Sequence, residues 1–261
     1  FLKKMDEFWE EVTPNGDNAD WYQKSTDYWK ETEASVNGVL GNFGHLTNID
    51  VKESKAFLLR VRKSQQQNKK NARLRVLDCG AGVGRTAQQL LAPLFDKVDL
   101  VEQDERFLRA AKKRVPPKSA GKFYCKSLQE FKPTLAYSVV WVQWVLNYLT
   151  DADLVAFFER VAGSLIDNGV VVVKENMLIN PDDDYKFDSE DSSVTRSDKH
   201  FELLFAKAGL RVVDREQQKI FPTGMLPVIM YALVVDKTTT TTNEATDQTK
   251  EDSSKEEIND D

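Results

Sequence analysis

The chain has 261 residues, of which 30% are charged and 41% are hydrophobic, and a formal net charge of −6 at pH 7. This length suits one α/β domain with extensions, and the composition is typical of a globular protein. The longest apolar runs, Val139 to Leu146 and Val170 to Val173, are too short to cross a bilayer, and two cysteines make no disulfide framework. No basic stripe indicates nucleic-acid binding. We therefore expect no membrane and no nucleic-acid partner.

The negative charge is concentrated at the end of the chain. From Asp236 to Asp261, nine acidic residues face three lysines and there is no aromatic residue. Such a segment buries too little apolar surface to fold, so residues 236–261 are predicted to be a disordered acidic tail. At the other end, Phe1 to Lys4 lead into acidic sequence without a hydrophobic signal region, which predicts a cytoplasmic and/or nuclear protein that is not secreted. We expect a monomer, although no pattern determines the oligomeric state.

The predicted elements begin with helical, aromatic-rich sequence over residues 1–30, a glycine-punctuated loop over 36–45 and a helix near 51–62. After a polar connector at 64–71, apolar and amphipathic segments alternate. The predicted strands cover residues 73–79, 97–102, 122–125, 138–144 and 170–175, and the predicted helices cover 85–95, 104–114, 151–166 and 198–208. Alternation of this kind indicates a parallel sheet with helices on both faces.

Two apolar strands, 210–216 and 228–235, follow the last helix with no helix between them, which predicts an antiparallel pair. The predicted organisation is therefore an N-terminal helical extension (1–63), an α/β core (64–235) and the acidic tail (236–261).

The run from Leu77 to Arg85 reads Leu-Asp-Cys-Gly-Ala-Gly-Val-Gly-Arg and joins a predicted strand to a predicted helix. Glycines such as Gly80 and Gly82 allow a tight turn and let a ligand lie against bare backbone. The next predicted strand ends at Glu102, 22 positions beyond Gly80, where an acid is placed to accept both hydroxyls of a ribose. The two features together predict an adenosine cofactor.

The spacing of the glycines bears on which adenosine cofactor binds. Dinucleotide sites usually read Gly-x-Gly-x-x-Gly, whereas this turn reads Gly-x-Gly-x-Gly, with Asp78 before it and Arg85 after it. S-adenosylmethionine has an α-amino-acid end, whose ammonium suits Asp78 or nearby carbonyls and whose carboxylate suits Arg85. The pattern favours S-adenosylmethionine over a dinucleotide, and a strand–turn–helix without a ligand is the structural alternative.

In doubly wound sheets, ligands bind beyond the carboxyl ends of the strands. This rule selects Gln143, Trp144 and Tyr148 after one strand and Asn176 after the next, followed by an acidic segment. The acidic segment contains Asp182, Asp183, Asp184, Asp188, Glu190 and Asp191. A solvated acidic loop and a buried tryptophan are the ordinary readings of these features. Their convergence on the cofactor side favours a site that takes a cation.

Several motifs together resemble a known family. They are Tyr28-Trp29-Lys30, Val39-Leu40-Gly41, Gly44-His45, the run Leu77 to Arg85, Ser127-Leu128-Gln129, Gln143-Trp144, Lys174-Glu175-Asn176 and the run Asp191 to Arg196. Over residues 27–235 the chain resembles the eukaryotic protein α-N-terminal methyltransferases, which methylate the free α-amine of proteins beginning X-Pro-Lys. The resemblance implies a Rossmann-like class I methyltransferase fold with a mostly parallel seven-stranded sheet, in which residues 1–63 form a lid over the substrate channel.

The resemblance also implies roles for individual residues. S-adenosylmethionine, and its product S-adenosylhomocysteine, would bind Gly80, Arg85, Glu102, Gln103, Asp104, Leu128, Gln129 and Gln143. The N-terminal peptide of the substrate protein would bind Trp29, Leu40, Leu46, Trp144, Asn176, Asp188, Asp191 and Ser193. In the second set, Trp144 would stack on the proline of the peptide. The catalytic set would be Asp191, Asn176 and Tyr148.

Two positions depart from the family pattern. Tyr148 stands where the family usually has a histidine, and Leu226 stands where relatives often carry a tyrosine. A neutral phenol with a pKa of about 10 is a poor base near pH 7, so we expect Tyr148 to position groups rather than to take a proton. These departures leave open methylation of a small amine or of a different N-terminal sequence. A second alternative is an inactive cofactor-bound scaffold, against which the presence of Asp191, Asn176 and Trp144 argues. Neither histidine of the chain has the pattern of a metal ligand.

Overall fold

A computed structural model describes residues 2–66, 74–180 and 184–237. Its α-helices are α1 (Leu2–Val12), α2 (Ala19–Glu31), α3 (Val36–Val39), α4 (Thr47–Ser64), α5 (Glu105–Arg114), α6 (Asp151–Ala162) and α7 (Asp198–Lys207). The predicted helix 85–95 is shorter, ends at Leu91 and is π-helical over Ala87–Leu91. The strands are β1 (Arg75–Cys79), β2 (Lys97–Glu102), β3 (Ala120–Cys125), β4 (Tyr137–Gln143), β5 (Leu165–Asn176), β6 (Tyr185–Asp188), β7 (Ser193–Arg196), β8 (Leu210–Gln217) and β9 (Val228–Val235). Within this part of the chain, no helix is long and apolar enough to span a membrane.

Seven of the described strands form one sheet in the order β3-β2-β1-β4-β5-β9-β8. Neighbours from β3 to β5 are parallel, and β9 runs antiparallel to both β5 and β8. Buried side chains of α6 and α7, including Phe157 and Phe205, cover one face of the sheet. Those of α4 and α5, including Phe57 and Leu108, cover the other. The structure thus confirms the predicted α/β fold, with its final antiparallel pair.

Two predicted boundaries around residue 165 are wrong. The predicted helix 151–166 ends at Ala162, and β5 begins at Leu165 instead of residue 170. Tyr137 pairs with Leu165 and the next ladder partner, Val139, pairs with Val170, so the intervening residues bulge out of the strand. The sequence Asp167-Asn168-Gly169, which is typical of a turn, lies inside this bulge, where Asn168 has a φ of 60°. A local turn signal is compatible with either arrangement, and only pairing with β4 decides between them.

The acidic segment is not only a loop. Tyr185–Asp188 and Ser193–Arg196 pair as an antiparallel hairpin, β6–β7, which stands apart from the main sheet. Met5, Phe8 and Trp21 of the N-terminal helices bury their side chains with Val194 of the hairpin. The N-terminal helices therefore hold the hairpin in place. Asp182 and Asp183, most of the 64–71 connector and residues 238–261 of the tail lie outside the described residues.

Candidate active site

The glycine turn lies at the carboxyl end of β1 and can be built only with glycine at two positions. Gly80 has a φ of +67°, and a Cβ there would lie 2.7 Å from the side chain of Val145. Gly84 has a φ of +78°, and a Cβ there would lie 2.8 Å from the Cβ of Ala111 in α5. The turn is thereby packed against α5 and the segment after β4, which leaves a cavity at the ends of β1, β2 and β4.

The eight residues that the resemblance assigns to the cofactor, together with Gly82 of the turn, all line this open cavity, here called the glycine-turn cavity. They are Gly80, Gly82, Arg85, Glu102, Gln103, Asp104, Leu128, Gln129 and Gln143. Their distribution follows the fold, since they come from the ends of neighbouring parallel strands and the turns after them. The structure therefore brings the whole predicted set together, and the contact that each makes with a cofactor stays a prediction.

Two buried acids lie on this cavity. Asp78 is 2% exposed, its Oδ2 has no hydrogen-bond partner, and burial raises the pKa of its carboxyl to about 7. Glu102 is held by two backbone amides, because Gly82 donates to its Oε2 (2.8 Å) and Asp104 donates to its Oε1 (2.9 Å). Burial also raises the pKa of Glu102. An unpaired buried carboxylate suits an ammonium group, and a fixed one suits hydroxyl donors, so both residues fit S-adenosylmethionine.

The Arg85 side chain is held by Asp50, a residue that sequence analysis did not select. Asp50 of α4 accepts hydrogen bonds from Arg85 Nη1 (2.5 Å), from Gln143 Nε2 (3.1 Å) and from Lys174 Nζ. Burial alone would raise the pKa of Asp50, but the charges of Lys174 and Arg85 outweigh it and hold the pKa below its ordinary value. Two buried cations thus share one carboxylate, and a further anion beside Arg85, such as an amino-acid carboxylate, would balance them.

A second open cavity adjoins the first and is here called the hairpin cavity. All eight predicted peptide-binding residues line it, namely Trp29, Leu40, Leu46, Trp144, Asn176, Asp188, Asp191 and Ser193. The two cavities share five lining residues, which are Trp29, Val39, Leu40, Trp144 and Tyr148. A molecule in the hairpin cavity would therefore lie next to one in the glycine-turn cavity.

Trp144 forms a fixed aromatic wall between the cavities. It has a φ of +54°, which is uncommon for a non-glycine residue, and the turn after it is held by Glu175, whose Oε2 accepts the amides of Val145 (3.0 Å) and Leu146 (3.1 Å). The cations of Arg85 and Lys174 lie 5.5 Å and 5.8 Å from the ring centroid. These contacts fix the orientation of the indole, and a neighbouring loop adds a second aromatic ring, Phe221, at 6.4 Å.

The predicted catalytic residues Asp191, Asn176 and Tyr148 all line the hairpin cavity. The Tyr148 hydroxyl donates to Asp191 Oδ2 (3.1 Å), while Asp191 Oδ1 is buried without a hydrogen-bond partner. Burial and the charge of Asp191 raise the pKa of Tyr148 well above its ordinary value. Tyr148 is therefore a neutral donor, and Asp191 offers one unused acceptor oxygen. Asn176 ends β5, and its backbone amide donates to Glu175 Oε1 (3.0 Å).

Charged residues of the site that sequence analysis left without a role are Asp50, Lys174 and Glu175. Lys174 and Glu175 are fully or almost fully buried at the end of an apolar strand, and burial raises the pKa of Glu175 to about 7. Two charges that interrupt a buried strand are a usable signal for a site. Asp50 lies in a helix with many charged residues, so its sequence carries no such signal. Leu226, the second departure from the family pattern, lines the hairpin cavity with an apolar side chain. Among the described residues, no group of His, Cys, Asp and Glu side chains is arranged to hold a metal ion.

Comparison with known proteins gives a consistent family. A family model described as AdoMet-dependent proline di-methyltransferase matches residues 17–234. Alpha N-terminal protein methyltransferase 1 of Arabidopsis thaliana is 40% identical over 248 residues, which cover 90% of this chain and 88% of the plant protein. N-terminal Xaa-Pro-Lys N-methyltransferase 1 of Xenopus tropicalis is 40% identical over 220 residues, which cover 83% of this chain and 96% of the frog protein.

A solved structure from Leishmania major, described as a SAM-dependent methyltransferase, matches with a TM-score of 0.78 and 36% sequence identity, over 88% of this chain and 90% of that one. The match to the family model spans both cavities and all of the sheet except its last residue. S-adenosylmethionine is the methyl donor of this family. This chain is an enzyme that belongs to the AdoMet-dependent proline di-methyltransferase family.

Proposed function

We propose that this chain transfers methyl groups from S-adenosylmethionine to the free α-amine of proteins that begin X-Pro-Lys. The observation that carries the proposal is the hairpin cavity itself, which combines the Trp144 indole with the acids Asp188 and Asp191 and adjoins the glycine-turn cavity. The names of the relatives from Arabidopsis and Xenopus support the same reaction.

The hairpin cavity suits each part of such a peptide. The flat apolar face of a proline ring packs well on the Trp144 indole, which the surrounding cations hold in one orientation. The lysine in third place is attracted by Asp188, which is exposed on β6, and by Asp191 in the hairpin turn. Lys186 also lines the cavity and offsets part of this negative charge. Asn176 offers an amide side chain to the peptide backbone.

The amine must lose its proton before it reacts. A protein α-amine has a pKa of about 7.7–8.0, so near neutral pH part of it is already unprotonated. The free Oδ1 of Asp191 is placed to accept a hydrogen bond from the amine and to orient its lone pair, while Tyr148 holds the other oxygen of the same carboxylate. Because Tyr148 stays protonated, its role is to fix Asp191.

The glycine-turn cavity would hold S-adenosylmethionine through Asp78 at its ammonium, Arg85 at its carboxylate and Glu102 at its ribose hydroxyls. When bound, S-adenosylmethionine supplies an electrophilic methyl group on a sulfonium centre. The shared wall of Trp29, Trp144 and Tyr148 brings the two ligands next to each other and limits the access of water to the reacting groups.

Transfer of a radiolabelled methyl group to a matched set of peptides tests the proposal. We expect labelling of a peptide beginning Ala-Pro-Lys, much weaker labelling when glutamate replaces the lysine, and none when the α-amine is acetylated. Labelling of the acetylated peptide on its lysine would contradict the proposal. Labelling of a small amine with the Ala-Pro-Lys peptide inert would establish the small-amine function instead, and no labelling of any substrate despite S-adenosylhomocysteine binding would indicate an inactive scaffold.

A further inference from the structure

We propose that Arg106 is a positioning residue through which an occupied glycine-turn cavity tightens the hairpin cavity. This inference rests on the proposed function for the identity of the second ligand. Arg106 lies on α5, outside the residues assigned to either ligand, and its side chain is 39% exposed. It can therefore be replaced without opening the hydrophobic core.

A continuous chain of hydrogen bonds leads from Glu102 to Arg106. Glu102 Oε1 accepts the amide of Asp104 (2.9 Å), and Asp104 is the N-cap of α5, where its Oδ1 accepts the amide of Arg106 (2.7 Å). The Arg106 guanidinium then returns to the same carboxylate, with Nη2 donating to Asp104 Oδ2 (2.6 Å). The position of the guanidinium is thus determined by the residues that border the predicted ribose site.

The other side of the guanidinium binds the end of α2. Arg106 Nη2 donates to the carbonyl of Trp29 (2.9 Å) and Nη1 donates to the carbonyl of Thr32 (3.4 Å). The Trp29 carbonyl also accepts the backbone amide of Thr32 (3.1 Å), so Arg106 is its second donor. A cation at the carboxyl end of a helix is favourable. One planar guanidinium reaches a carboxylate and two carbonyls at once, whereas a lysine ammonium is a point charge and would not bridge all three.

Trp29 is the residue that this contact positions. It lines both cavities, and its ring packs edge-on against Phe107 (6.2 Å between centroids) and Tyr148 (5.8 Å). Phe107 follows Arg106 on α5, so the first turn of α5 holds both the backbone and the ring of Trp29. The same turn begins beside Glu102. One wall of the hairpin cavity is therefore attached to one border of the glycine-turn cavity.

This attachment predicts cooperative binding. A ligand whose hydroxyls bind Glu102 orders residues 102–106, and through Arg106 it orders the end of α2 that carries Trp29. A peptide that binds afterwards contacts a cavity wall that is already ordered. Its binding therefore costs less conformational entropy and is tighter. By thermodynamic linkage, the peptide tightens cofactor binding by the same factor.

Calorimetry with a peptide beginning Ala-Pro-Lys, titrated with and without saturating S-adenosylhomocysteine, measures the coupling. We expect S-adenosylhomocysteine to tighten peptide binding by about fivefold or more in the unaltered protein. In Arg106→Ala and Arg106→Lys the factor should fall below about twofold. Arg109→Ala is the matched control, because Arg109 lies on the same helix and pairs only with the exposed Glu105 in the described structure. Full coupling in either Arg106 variant, or equal loss in Arg109→Ala, would overturn the proposal.

Hydrogen exchange followed by mass spectrometry supplies a readout that needs no peptide. S-adenosylhomocysteine should slow amide exchange at the end of α2, over residues 25–32, in the unaltered protein and in Arg109→Ala but not in Arg106→Ala. If the unaltered protein binds no Ala-Pro-Lys peptide but shows this protection, the proposed function fails and the role of Arg106 stands. If the peptide binds while protection is absent, or is the same in Arg106→Ala, the role of Arg106 fails and the proposed function stands.

Discussion

The two cavities are built in different ways, although they share a wall. The largest group of residues that line the glycine-turn cavity comes from one stretch, residues 78–107, which contains most of the predicted cofactor residues. The hairpin cavity takes its lining from the N-terminal helices, the end of β4, the hairpin β6–β7 and the loop before β9. The first is therefore fixed by local sequence and the second by tertiary packing. Single substitutions should therefore affect methyl-donor binding and methyl transfer to the peptide separately.

The largest expected effect belongs to Asp191→Asn. Among the described residues that line the hairpin cavity, Asp191 is the carboxylate with an unpaired oxygen, and its loss should lower kcat by about 10²-fold or more because the amine is no longer oriented. S-adenosylhomocysteine affinity, measured by calorimetry, should stay unchanged because Asp191 does not line the glycine-turn cavity. Asp188→Asn, at an exposed position of the same hairpin, is the matched control and should affect mainly KM.

Tyr148→Phe sharpens the same test. It removes the hydroxyl that donates to Asp191 but leaves the ring that packs on Trp29. The rate should fall less than in Asp191→Asn, and the pH–rate profile should still rise near pH 7.7–8.0, where the substrate amine loses its proton. A larger loss in Tyr148→Phe than in Asp191→Asn would give the phenol a chemical role and contradict the assignment.

Glu102→Ala tests the other cavity and should have the next largest effect. Removing a carboxylate that would bind hydroxyls and that accepts the Gly82 and Asp104 amides should weaken S-adenosylhomocysteine binding by about 1.5–3 kcal/mol, or about 10- to 150-fold. Glu105→Ala, three residues further at an exposed position, is the control and should bind as the unaltered protein does. Unchanged affinity in Glu102→Ala would mean that Glu102 does not hold the ribose.

The pH dependence of cofactor binding should depend on Asp78. Its carboxyl has a pKa raised to about 7 by burial, and an ammonium ligand binds the ionised form. Affinity should therefore rise with pH through 7, by about tenfold between pH 6 and pH 8, because the ionised fraction rises by that factor. Asp78→Asn should bind weakly with no such rise. A flat profile in the unaltered protein would show that the ammonium does not face Asp78.

The sequence predicted the glycine-turn cavity nearly completely because its elements follow one another along the chain. It could not predict the β6–β7 hairpin from acidic residues that read as a solvated loop, since the pairing depends on aromatic packing with α1 and α2. Nor could it place Asp50 beneath Arg85, because that contact joins residues 35 positions apart. The positive φ of Trp144 cannot be predicted from its neighbours in sequence either, because Glu175 of the next strand holds the turn that follows it. Long-range contacts decide these features.

The smallest expected effect concerns residues 238–261, which lie outside the described residues. They contain eight acidic residues and two lysines and so carry the whole net charge of the chain. A chain ending at Lys237 keeps the hydrogen bond from the Asp236 amide to the Gly209 carbonyl (2.8 Å). We expect its melting temperature to be unchanged.

The kinetics of the shortened chain distinguish long-range attraction of the peptide by the acidic residues from direct packing of the tail on the folded body. At 0.15 M salt the screening length is about 8 Å, so charges that do not touch the peptide contribute little, and kcat/KM should stay within about twofold. At low salt, where screening weakens, loss of the acidic residues should slow association of a lysine-containing peptide while kcat stays constant. A loss of kcat, or a lower melting temperature, at both salt concentrations would instead mean that the tail packs on the folded body. The tail would then join the N-terminal helices and the hairpin as a third distant segment that shapes the hairpin cavity.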